Sequence, residues 1–160
     1  MSRKHCKRTH YALIDPVKLA ISGACITDTK LLDRLRIIEL SALQAWKDKS
    51  ATDDDLRTIR GILNLTSTMA EMGIGEEAMV TVQRADAALD RAERMLSAGS
   101  PMIASQSDVQ TFQDLYEYHD LQRLSVDRST YERAILSSIE KMRSERGRLK
   151  ACAERMKEAA

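Results

Sequence analysis

His119 is the one histidine of this 160-residue chain outside its first ten residues, so any imidazole acid–base chemistry would have to use it. Asp120 is its neighbour and Tyr116 lies one helical turn before it. The plainer reading of that group is a histidine near the surface of a helical bundle, hydrogen-bonded to a neighbour. A di-metal site in a helical bundle would place Glu three residues before His, where this chain has Tyr116. Asp114, Glu117 and Asp120 recur every third residue and read as a solvated acidic face. Asp53, Asp54 and Asp55 follow Thr52 at a helix start, where the helix dipole accounts for three carboxylates without a metal. His5, Cys6, His10 and Cys25 have no familiar zinc spacing. Glycine-rich phosphate loops, GxSxG, HExxH, paired CxxC and EF-hand loops are all missing from the sequence. The expectation is a non-enzymatic chain with no catalytic residue, no metal and no cofactor.

The elements that must carry these residues read as helices. A charged fraction of 31%, with two Pro and six Gly, favours helix over sheet. Asp15-Pro16 predicts a short helix that ends at Gly23. Thr27 is expected to cap a second, with Ile26 and Leu31 as its hydrophobic staple. Its buried stripe would be Leu31, Leu35, Ile38, Ala42 and Ala45, with Arg34, Arg36 and Lys47 in solvent and Trp46 at the core's edge. A third helix from Thr52 turns Leu56, Ile59, Leu63, Thr66 and Ala70 inward and stops at Gly73. Residues 76–97 form a fourth, with Ala78, Val82, Ala85, Leu89, Ala92 and Leu96 on one stripe. Its small residues leave a homodimer seam open, and Arg84, Asp90, Arg91 and Arg94 read as solvated.

Residues 98–106 form the clear loop, with Met102 and Ile103 expected to fold back onto the body. Ser107 and Gln110 are read as the cap of a fifth helix, on which Val109, Phe112, Leu115, Tyr116 and His119 share a face. Ser129 and Glu132 read as a capping box opening a long final helix, striped by Tyr131, Ile135, Ile139, Met142, Leu149 and Met156. The prediction is all-α: a single helical bundle of five or six helices with a long carboxy-terminal helix. Residues 1–12 would be a flexible basic arm and 13–160 the one domain.

A net charge of +1 excludes a global electrostatic footprint for nucleic acid and equally an acidic mimic of DNA. Three cysteines without CxxC spacing read as thiols of a reducing cytosol. Asp15, Pro16 and Lys18 interrupt the apolar run before Cys25, so no export signal is read. No apolar run approaches the ~20 residues of a membrane span. The chain is therefore expected in the cytoplasm. The sequence 56–82 has the outline of a helix-turn-helix, but Glu76 and Glu77 open the would-be recognition helix and would face phosphates.

The run Tyr118-His119-Asp120-Leu121-Gln122, then Tyr131-Glu132-Arg133-Ala134, with Asp15-Pro16-Val17 after a basic start, resembles a group of small uncharacterised proteins. These are carried by phages, prophages and plasmids of proteobacteria. In place of a Trp found in members at the start of the third helix, this chain has Leu56. The resemblance implies a mobile-element product of the bacterial host cytosol and carries no functional residue with it. The expected function is a protein-binding module that inhibits a host defence complex, such as a CRISPR effector, by steric occlusion. Candidate partner contacts are Tyr116, Tyr118, His119, Gln122 and Arg123, because aromatic and Arg side chains dominate interface energetics. Core packing is the competing reading of Tyr116. The alternative function is nucleic-acid binding by Arg3, Lys4, Lys7 and Arg8 of the arm.

Overall fold

A computed structural model describes residues 23–24, 29–100 and 105–158, with the side chains at 29, 31 and 145–158 left aside. Among the described residues the chain is an all-α bundle of five α-helices: α1 (Thr29–Lys47), α2 (Asp53–Glu71), α3 (Met79–Ser97), α4 (Gln106–Ser125) and α5 (Arg128–Glu158). A 3₁₀ turn, Glu76–Ala78, leads into α3. No helix among the described residues is long and apolar enough to cross a membrane. The expected helix from Asp15, the Thr27 cap with its staple, and the loop residues Met102 and Ile103 lie outside the described residues, as does the basic arm.

The hub is α2, which packs against α1, α3, α4 and α5. That position explains why its inward residues are Leu56, Ile59, Leu63, Thr66 and Ala70 as expected, and why Ile62, Thr68 and Met69 are buried with them. Thr52 caps it, and Asp55 returns a bond to the Thr52 amide, so one of the three aspartates completes a capping box. The helix ends at Gly73, φ +82, where the amides of Gly73 and Ile74 bond to Ala70 and Met69. Ala78, Val82, Ala85, Leu89 and Ala92 are buried in the same core as Trp46 and Phe112, whose rings meet edge-on at 4.6 Å. The small-residue stripe of α3 is thus spent inside the bundle, which removes it as a dimer seam.

Several local expectations are corrected. The cap of α4 is Ser105 with Asp108, not Ser107 with Gln110. That of α5 is Asp127, whose carboxylate accepts from the Thr130 amide at 2.7 Å and the Ser129 hydroxyl at 2.8 Å; Glu132 instead pairs with Arg128. The α1 register is rotated: Leu32, Ala42, Leu43 and Trp46 are buried, while Ile38 is exposed. Trp46 sits in the core interior and not at its edge. Ala134 and Ser138 are the buried residues of α5, with Tyr131, Ile135, Ile139 and Met142 half-buried beside them. The outer face of α3 is not merely solvated, since Arg60 of α2 is gripped by Asp86, Asp90 and Glu93, and Arg91 pairs with Asp108.

Candidate functional site

Helix α4 carries the residues singled out from the sequence, and it is built inside out at its carboxy-terminal half. His119, Gln122 and Arg123 face the interior, Arg123 with no exposure at all, while Leu121 is 64% exposed and Leu124 is also exposed. Tyr116 is buried and Tyr118 half-buried. Three of the five expected partner contacts, His119, Gln122 and Arg123, are therefore turned away from any partner, and Tyr116 keeps little exposed surface. A side chain committed to internal bonds would have to give them up before it met anything outside.

Those internal bonds form a polar ladder between α1 and α4. Arg123 donates from both terminal nitrogens to the Glu39 carboxylate at 3.0 and 3.3 Å, and from one of them to Asp120 at 2.6 Å. Asp120 in turn accepts two bonds from Arg36, at 3.1 and 2.7 Å. Arg36, expected in solvent, is thus a rung of the ladder, and Asp120 is not part of a free acidic face. His119 lies next to the ladder, with Nε2 3.8 Å from Glu39 and Nδ1 3.4 Å from the Thr66 hydroxyl of α2. Gln122 donates to the Ile74 carbonyl at 2.7 Å and also to that of Thr66, tying α4 to the turn after α2. Gly75 in that turn has φ +66, and a Cβ there would meet the Gln122 side chain at 3.2 Å.

The charges follow from this packing. Burial pushes the Glu39 carboxyl up, against the pull of the Arg123 guanidinium. Burial acts the same way on Asp120, but the bonds from Arg36 and Arg123 outweigh it and hold that carboxyl low. Burial, reinforced by Arg123, lowers His119 to about 4, so the ring is neutral at neutral pH. Burial also raises the Tyr116 phenol. With both carboxylates neutralised by arginine and a neutral, enclosed imidazole, this cluster has the chemistry of a structural cross-link. Among the described residues no group of three or more His, Cys, Asp or Glu could hold a metal ion.

Outside the ladder, α1 and α4 leave a groove of about 970 Å³ between them. Leu40, Leu43 and Leu121 form its apolar lining, Gln44, Gln110 and Gln113 supply amides, and Tyr116, Glu39 and Asp120 close its inner wall. Buried Tyr116 leaves its hydroxyl without a hydrogen-bond partner. Leu40 and Leu121 are both more than half exposed, and Ile37 at 64% and Leu124 stand one turn along their helices on the same side. This apolar shoulder was missed from the sequence, where leucines of an amphipathic helix are read as core. The arm residues Arg3, Lys4, Lys7 and Arg8 lie outside the described residues.

Compared with protein-family models, with curated proteins and with solved structures, the chain finds no match in any of the three.

Proposed function

We propose that this chain is a non-enzymatic protein-binding module whose contact surface is the α1/α4 face: the groove and the shoulder of Ile37, Leu40, Leu121 and Leu124. The observation that carries this is the inverted polarity of α4, which turns leucines to solvent beside a concave surface while arginine and histidine fill the interior. Clustered exposed apolar side chains at a groove mark contact sites more often than scattered ones do. Covering what remains open of Leu40 and Leu121 would contribute about 2–3 kcal/mol, roughly fifty-fold in affinity. The partner class we propose is a host defence complex, a CRISPR effector among them, blocked by occlusion; its support is the resemblance to mobile-element proteins.

The test compares the full chain with Leu40→Glu/Leu121→Glu and with Val80→Glu, an exposed apolar residue on α3. Each tagged protein is offered host lysate, and captured proteins are identified by mass spectrometry, with circular dichroism confirming helix content. Wild type and Val80→Glu should hold the same partner and the double variant should lose it. Equal capture by all three would remove the α1/α4 face from the proposal.

A further inference from the structure

The two helices that form the groove bring opposite charges to it. Along the lining α1 supplies the cations Arg36 and Lys47, and its one acid there, Glu39, is turned inward to Arg123. The lining residues of α4 include the acids Glu117 and Asp120 and no cation. Arg36 and Asp120 pair with each other, yet their side chains stay 37% and 30% exposed. Lys47 and Glu117 have no ion-pair partner among the described residues. Each edge also carries two exposed apolar side chains, Ile37 and Leu40 on α1, Leu121 and Leu124 on α4. We propose that this face pairs with the same face of a second copy of the chain, about a two-fold axis running along the groove. The inference rests on the reading of the face as a protein-binding surface and names one occupant of it.

Charge selects both the occupant and the axis. When two identical faces meet, the two-fold axis lies in the plane of contact. An axis across the helices would lay α1 on α1 and α4 on α4, bringing the cations of one copy to the cations of the other and acids to acids. An axis along the groove lays α1 of each copy over α4 of the other, so a basic edge covers an acidic edge twice. A foreign partner would have to supply both edges in the right order. A second copy has them by construction.

The apolar side chains agree with the same axis. A two-fold along the groove keeps every residue at its own level, so residues abreast in one copy lie face to face between copies. The helices α1 and α4 run antiparallel, with Arg36 abreast of Asp120 and Trp46 abreast of Phe112. Ile37 and Leu40 therefore meet Leu121 and Leu124 of the second copy, and eight part-exposed apolar side chains leave water together. Arg36 meets Asp120, and Lys47 meets the amides of Gln110 and Gln113, with no like charges in register. Two helices from each copy then form a seam of ordinary helix packing, with axes about 8–10 Å apart.

The test uses the full chain under reducing conditions, with Leu40→Glu and Leu121→Lys as separate variants at exposed positions, each checked for helix content by circular dichroism. In sedimentation equilibrium the wild-type mass should rise from 18.0 kDa toward twice that value across about 1–100 μM. Either substitution alone sets a charge against a leucine in both halves of the seam and should weaken association at least about tenfold. An equal mixture of the two variants should recover association to within about threefold of wild type. One half of the mixed seam holds the introduced glutamate opposite the introduced lysine, and the other keeps Leu121 opposite Leu40. A wild type that stays at 18.0 kDa, or a dimer indifferent to both substitutions, overturns the proposal. So does a mixture that fails to recover, the result expected of the crosswise axis. A monomer whose host partner is lost with Leu40→Glu/Leu121→Glu removes the second copy and keeps the host-partner reading. A dimer that obeys the mixing rule while every variant captures the host partner equally keeps the second copy and removes the host partner from this face.

Discussion

Arg123→Ala is the most demanding perturbation of the interior. It deletes the two bonds to Glu39 and the one to Asp120, and it strands a carboxylate whose side chain is 13% exposed. Asp120 keeps Arg36, so the loss falls on Glu39. Removing one partner of a buried pair costs about 3–5 kcal/mol, because the survivor stays dehydrated without its counter-charge. Glu39 has an escape, since it can take up a proton. Its folded pKa, already raised by burial, would rise further once the guanidinium is gone. An acid with a raised folded pKa is favourable to folding below its unfolded value of about 4.3 and loses that advantage as pH climbs toward the folded value, by about 1.4 kcal/mol per unit. The deficit of Arg123→Ala should therefore widen from pH 5 to pH 7. Urea unfolding followed by Trp46 fluorescence at pH 5, 6 and 7 measures it. Glu39→Gln/Arg123→Met, which deletes both charges, should recover most of the stability at pH 7. A loss below about 1 kcal/mol at pH 7, or one that is the same at pH 5 and pH 7, would refute the idea that this pair is buried and interdependent.

Other expectations follow from single positions. With His119 held near 4 by burial and Arg123, the unfolded chain gains a proton between about pH 6.5 and 4 that the folded one refuses, so stability should fall across that window by up to about 3 kcal/mol. His119→Gln should lack this component, and identical urea-titration slopes for the two proteins would contradict it. Gly75→Ala, at φ +66 against Gln122, should lower stability by about 1–2 kcal/mol, whereas Gly61→Ala, within α2 and with nothing near its would-be Cβ, should raise it by about 1 kcal/mol. Melting temperatures that move in the same direction for both would undo that contrast. Lys49 closes α1 with φ +58, so Lys49→Gly should stabilise by roughly 1 kcal/mol, read as a higher urea midpoint.

The legible part of the fold is the part whose burial has a single period. Helix α2 touches four neighbours and α3 two, and each shows one apolar stripe in sequence that is the stripe buried in the bundle. Gly73 was legible because only a left-handed residue closes that helix. Helix α1 was not, because Leu32, Leu35, Ile37, Ile38, Leu40 and Leu43 offer apolar residues on more than one face. What selects the face is Glu39, which must point inward to meet Arg123 eighty-four residues away. No local pattern announces a partner that distant. The same ignorance placed His119 near the surface and sent Gln122 and Arg123 toward a partner. Their residue types report a preference for water, and only the opposing helix shows that bonds have replaced it.

This interchange of inside and outside connects the interior to the binding face. A leucine-to-leucine contact between α1 and α4 could slip by a turn at modest cost, since apolar side chains pack against one another without direction. The ladder cannot slip so easily. Moving α1 one turn would separate Arg36 from Asp120 and Glu39 from Arg123 and leave enclosed charges without partners. The pairs therefore fix the register that sets Leu40 opposite Leu121 and shapes the groove between them. If so, Arg123→Ala should disturb partner capture beyond what its loss of folded protein explains, while the Glu39→Gln/Arg123→Met variant, stable but reduced to the Arg36–Asp120 rung of the ladder, should capture the partner less well than wild type at equal folded concentration. Equal capture by that variant would show that the Glu39–Arg123 pair is not needed to hold α1 and α4 in place.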